Sequence, residues 1–156
     1  MRHHREAVLA GLPVLFGIHQ LIEVPVWLGF EGRVSADLAG GAAWLYLAIA
    51  FGMIPWIVPH AVHRIEDDQR RRVWMRRLTA LGVAVAVALT VPIFIEPVSV
   101  SEAGNHIVYS PHLVQGGLLT VLYVVATCGA LVLSSDRVVA GYGWLNLVAV
   151  SGLATL

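Results

Sequence analysis

Lysine is absent from this chain and cysteine nearly so: the ten basic residues are all arginine, and Cys128 is the single thiol. One cysteine excludes an internal disulfide and leaves the redox compartment unassigned. Lying in the middle of an apolar run, Cys128 reads as a small buried hydrophobe. The missing lysine reads as a trait of base composition, because arginine and lysine serve membrane orientation about equally well. Charge of either sign is scarce, at 13% of 156 residues against roughly a quarter in an ordinary soluble domain. Ten acidic residues balance the ten basic ones, so nothing draws the chain to nucleic acid or to acidic substrates. No Gly-rich phosphate loop, Ser-x-x-Lys, Gly-x-Ser-x-Gly, His-Glu-x-x-His or paired-cysteine motif occurs, which leaves catalysis without support and implies no cofactor.

Apolar residues are what the chain has in abundance: 58% of it, with a mean hydropathy of +0.76. They gather in five segments, Ala7–Gly29, Leu38–Val62, Leu78–Ile95, Leu113–Leu133 and Val138–Leu156, each near the ~20 residues a helix needs to cross a bilayer. The expected fold is therefore all-α, a polytopic bundle of about five membrane-spanning helices forming one transmembrane domain over residues 1–156. The third segment alternates, Gly82-Val83-Ala84-Val85-Ala86-Val87-Ala88, with the period of a strand. Lipid admits only helices and closed barrels, and the neighbouring segments lack this period, so a helix is expected here too. Arg2 and Arg5 precede an apolar stretch in the manner of a secretory signal. That stretch continues to Gly29 with no small-x-small site after it, so an uncleaved first span is expected.

The linkers sort by charge. Arg2, Arg5, Arg64, Arg70, Arg71, Arg72, Arg76, Arg77 and Arg137 fall on one side of such a bundle, and only Arg33 on the other. This predicts an orientation with the N-terminus cytoplasmic and the C-terminus outside. Trp27, Trp44 and Tyr109 fall near the outer boundary and Trp56, Trp74, Tyr142 and Trp144 near the inner one, as expected of aromatic belts. Ala7-x-x-x-Gly11 and Ala48-x-x-x-Gly52 are small-residue pairs suited to helix contact. Pro13, Pro25, Pro55, Pro59 and Pro92 are potential kinks.

Glu23 is the most informative residue, because an ionisable group inside a span faces protein or water rather than lipid. His19 lies one turn before it, with Gln20 beside it. Helical rise puts Asn146 near the depth of His19 and Gln115 further outward, making both candidate partners. Three readings follow: a protonated carboxyl that ties helices together, a proton relay or polar-ligand site using His19 and Glu23, or a metal or haem site in which His19 and Glu23 are joined by His106 or His112. His60 and His63 read as interfacial side chains beside Arg64. The outer linker, Glu96 to His112, is long enough to cover the bundle mouth. The inner linker, Arg64 to Arg77, carries the topogenic charge and could rest on anionic lipid headgroups. A homo-oligomer is compatible with all of this.

Leu12-Pro13-Val14-Leu15-Phe16-Gly17-Ile18-His19-Gln20-Leu21-Ile22-Glu23, then Trp27, and Tyr123-Val124-Val125-Ala126-Thr127-Cys128-Gly129-Ala130 resemble segments of a family of uncharacterised, largely actinobacterial multi-pass membrane proteins of about seven helices. The resemblance extends along the chain through Gly143 to Val150, and Gln20, Glu23 and Trp27 fall on the family's most recognisable motif. It implies no activity. Relatives open with a further helix beginning Met-Cys-Phe-Ser and close with another after the position of Leu156, so a shortened product or fragment is expected here. The function expected is the binding or passage of a small polar species or proton around Glu23. The alternatives are a structural or interaction subunit and, third, a metal or haem protein.

Overall fold

The computed structural model describes residues 2–95, 99–103, 106–110 and 116–153. These are mostly helical, in the order α1 (Arg2–Ile22), α2 (Val24–Phe30), α3 (Ala36–Gly52), α4 (Ile54–Ile65), α5 (Gln69–Ile95), β1 (Ser99–Ala103), β2 (His106–Ser110), α6 (Gly116–Val132) and α7 (Arg137–Leu153).

Prolines decide where the long apolar segments break. Pro25 has no N–H to continue the helix, and the ladder tightens just before it, with the Glu23 N–H bonded to the Gln20 carbonyl at 3.2 Å. The first expected span is thus two helices with Glu23 at their joint. Pro55 acts likewise after Gly52, and α3 and α4 meet at a 44° bend. The indole N–H of Trp56 donates to the Gly52 carbonyl at 2.9 Å, satisfying an oxygen freed at that break. Pro13, Pro59 and Pro92 lie inside continuous helices. Between α2 and α3, Gly32 takes a φ of +68°, the left-handed region that glycine enters without a Cβ penalty.

The alternating third segment is helical, as expected. Its buried residues Met75, Gly82, Val85, Ala86, Leu89 and Ile93 recur at helical spacing on one face. That helix begins at Gln69, however, so most of the expected inner linker is helical and the true connection is Glu66-Asp67-Asp68. The outer linker departs from an all-helical fold: β1 and β2 form an antiparallel hairpin pairing Ser99 with Ser110 and Ala103 with His106.

Among the described residues, Ala7–Phe30 and Gln69–Ile95 are long and apolar enough to cross a membrane, and the bent α3–α4 pair makes a third if taken as one span. α6 and α7 have 17 residues each, roughly 25 Å of helix. α4 packs against α1, α5 and α6; α5 also packs against α3 and α6; and α7 lies on α6. Leu12, Val58, Ala61, Val62, Met75 and Leu131 form the core where α1, α4, α5 and α6 converge.

Backbone contact at two glycines sets this packing. A Cβ on Gly82 would overlap the carbonyl oxygen of Pro55, and one on Gly143 would lie 2.7 Å from both the Leu131 Cβ and the Val132 nitrogen. Of the two small-residue pairs in the sequence, Gly52 faces Thr90 while a Cβ at Gly11 would meet nothing within 4 Å. Gly82→Ala is therefore expected to destabilise by about 1–3 kcal/mol through forced separation of α4 and α5. Gly11→Ala should be neutral or stabilising by up to about 1 kcal/mol, since alanine favours helix more than glycine does. Thermal unfolding of the two purified variants checks the contrast.

Candidate functional site

Glu23 sits half-buried at the α1–α2 joint, and its partner comes from the hairpin. The Tyr109 hydroxyl donates to Glu23 Oε1 at 3.3 Å. Burial first, and then the neighbouring Glu23 charge, push the Tyr109 phenol above its ordinary value, so Tyr109 remains a protonated donor at any physiological pH. A separation of 3.3 Å is long for an O–H···O bond, whose usual distance is about 2.7–2.8 Å.

His19 is 5% exposed and turns away from Glu23. Its Nε2 lies 3.0 Å from the Tyr46 carbonyl oxygen of α3; a carbonyl only accepts, so Nε2 carries the proton. The His19 ring stacks on Tyr46 with centroids 3.9 Å apart, and Tyr46 stacks on Tyr109 at 5.1 Å. Three rings thus connect α1, α3 and the hairpin, with Glu23 at the far end of the row. The exposed Gln20 side chain lies beside Tyr46.

Asn146 lies elsewhere. The Asn146 amide donates to the Tyr142 carbonyl of its own helix at 2.8 Å and borders a separate cavity of about 220 Å³ between α1, α4, α6 and α7, with Tyr123, Thr127 and Cys128. Gln115 and His112 are outside the described residues, as is the side chain of His106. Among the described residues no three His, Cys, Asp or Glu side chains converge as a metal site would require. His60 packs near the Trp56 ring, 6.2 Å between centroids.

A second polar centre lies at the opposite end, in the linker expected to carry topogenic charge or to rest on anionic headgroups. Glu66, only 2% exposed, accepts from the Ser135 N–H at 2.8 Å, from the Ser135 hydroxyl and from the Asp68 N–H at 3.0 Å. Burial opposes its ionised form, but these bonds and the nearby Arg71 outweigh burial and hold its carboxyl below the ordinary glutamate range. Asp68 caps α5 by accepting from the Arg71 N–H at 2.8 Å, and Asp136 caps α7 by accepting from the Val138 N–H at 2.8 Å. Both follow the preference of helix N-termini for aspartate. Arg71 reaches the Leu133 carbonyl at 2.9 Å, a cation at the C-terminus of α6. An open cleft of about 650 Å³ borders Glu66, Asp67 and Asp136.

Residues 1–155 match a family described as Family of unknown function (DUF6629), and the chain belongs to that family. No curated protein and no solved structure matches it.

Glu66→Gln keeps the shape but cannot accept both Ser135 bonds, and a loss of about 1.5–3 kcal/mol is expected from bonds to a buried charge. The carboxyl is depressed in the folded protein, so its contribution is complete above the ordinary glutamate range and is lost as pH falls through the lower native value. Thermal midpoints taken from pH 7 down to pH 3 should therefore fall more steeply in the parent than in Glu66→Gln. Parallel curves would remove Glu66 as the cause.

Proposed function

We propose that this member of the family is a polytopic protein of the bacterial cytoplasmic membrane, with about five crossings, its N-terminus inside and its C-terminus outside. In this reading a site around Glu23, at the outer end, binds or passes a small polar species or a proton. The apolar exterior supports the membrane placement. Leu21, Phe94, Ile95, Leu145 and Val148 are each about two-thirds or more exposed, where a water-facing surface would carry polar groups. The arginines along the N-terminal turns of α5 support the orientation, with the bilayer as the main partner and anionic headgroups beside that face.

The bond from Tyr109 to Glu23 carries the functional reading. It places a titratable carboxyl under a hairpin, against a single long hydrogen bond that water or a polar ligand can replace. Displacing Tyr109 frees Glu23 to take up or release a proton, while the His19–Tyr46–Tyr109 stack holds the hairpin in register over the joint. The same three-ring stack favours a second reading, in which Glu23 only ties the hairpin to the bundle as part of a structural or interaction subunit.

The two readings separate on one measurement. In liposomes carrying an entrapped pH dye under an imposed potential, the parent protein should conduct protons above protein-free vesicles. Glu23→Gln should reduce that flux at least about tenfold, the scale of losing a positioned proton-transfer group. Flux equal to protein-free vesicles, with a lowered thermal midpoint for Glu23→Ala, which removes the acceptor, and not for Glu23→Gln, which keeps it, selects the structural tie.

Orientation has its own test. Cys128→Ala gives a cysteine-free background, onto which Ser101→Cys and Arg70→Cys are added separately. A membrane-impermeant maleimide should label Ser101→Cys in intact cells and Arg70→Cys only after permeabilisation. The reverse pattern overturns the orientation.

A further inference from the structure

Three residues of α5 and one of α4 line an open surface pocket that neither reading of Glu23 uses. Gln69, Arg72 and Arg76 follow one another at intervals of three and four, so they share one face of α5. The turn at Glu66 to Asp68 folds that face back toward His63 in the last turn of α4, and the four side chains line a cavity of about 290 Å³. That volume admits a tetrahedral oxyanion with part of its hydration, a single water occupying about 30 Å³.

Among the described residues, the lining of this cavity carries two guanidiniums and no carboxylate. Of the acids closest in sequence, Glu66 is bonded to Ser135 and Asp68, Asp68 to the Arg71 N–H, and Asp67 borders the separate cleft beside Asp136. Burial first, and then the charges of Arg72, His60, Arg76 and Arg64, push the His63 imidazole below its ordinary value. Two guanidiniums held together repel each other, and an anion relieves that repulsion. Guanidinium forks suit paired oxygens, and the Gln69 amide and the His63 ring add two further donors.

We propose that His63, Gln69, Arg72 and Arg76 form a binding site for a phosphate-type oxyanion, presented either by an anionic lipid headgroup or by free phosphate. The chemistry is independent of Glu23. Its lipid source rests on the proposed placement of this end at the membrane surface, so the test has one arm for each source. The protein is held in nanodiscs of phosphatidylcholine with or without phosphatidylglycerol, and separately in neutral detergent titrated with inorganic phosphate. Thermal midpoints are read in both arms.

The parent should gain stability in at least one arm. A response to phosphatidylglycerol alone assigns the headgroup, and a response to inorganic phosphate identifies the free anion. Arg72→Gln with Arg76→Gln should abolish the gain, weakening phosphate binding about tenfold or more for each guanidinium removed. The control, Arg70→Gln with Arg77→Gln on the same helix, removes equal charge outside the cavity and should keep the gain. Gln69→Ala, a milder change, should weaken binding while leaving the midpoint without ligand at the parent value. The proposal is overturned if neither arm moves the parent, if the Arg72/Arg76 variant responds as the parent does, or if the control loses the gain equally.

Discussion

The buried carboxylate of Glu66 is the constraint around which one whole end of the molecule is arranged. It accepts hydrogen bonds from Ser135 on one side and from the backbone of its own turn on the other. One side chain thereby fixes the α4–α5 turn against the α6–α7 connection. The neighbouring caps depend on that arrangement: Asp68 starts α5, Asp136 starts α7, and Arg71 closes α6 at Leu133. α5 leaves this turn so that Gly82 lies flush against the Pro55 carbonyl between three and four turns later, and Arg72 and Arg76 line a pocket with His63.

A complementary rule governs the other end, where α3 acts as an acceptor rail. Its carbonyls at Tyr46, Ala50 and Gly52 each take a side-chain donor, from His19 of α1, Tyr123 of α6 and Trp56 of α4 respectively. In apolar surroundings a polar side chain must find a partner inside the protein, and carbonyls retain a second lone pair even within a helix. Polar groups therefore point inward at both ends while large aliphatic side chains point out. His19, Glu66, Thr127 and Ser134 are buried, whereas Val138 and Leu21 are largely exposed.

Helix identity was legible in the sequence because hydrophobic run length carries it directly, and Glu23 stood out as a carboxyl in an apolar stretch. Its partner was not legible, since Tyr109 lies 86 residues away and was read only as a boundary aromatic. The hairpin did have a local signal. Gly104-Asn105 sits between Ser-Val-Ser-Glu-Ala and His-Ile-Val-Tyr-Ser, a two-residue connection typical of tight β-turns, but the length of the linker dominated the reading. Glu66 was hidden for another reason: amid six arginines, Glu66, Asp67 and Asp68 look like solvated charge, and only the fold shows which of them turns inward. Asn146 was matched to His19 by depth alone, and depth says nothing about which face of a helix a side chain occupies. The close-packing glycines, Gly82 and Gly143, lie outside the small-residue pairs the sequence offered, because their contacts are with the backbone of a neighbouring helix.

The distance in sequence between Glu23 and Tyr109 also governs how the molecule is made. At a synthesis rate of about 5–20 residues per second, a separation of 86 residues means the carboxyl emerges about 4–17 s before its donor. Neither Tyr46 nor the hairpin exists when the first helices emerge. Through that interval Glu23 is without the Tyr109 hydroxyl, and the row of rings can close beside it only after the hairpin has been made.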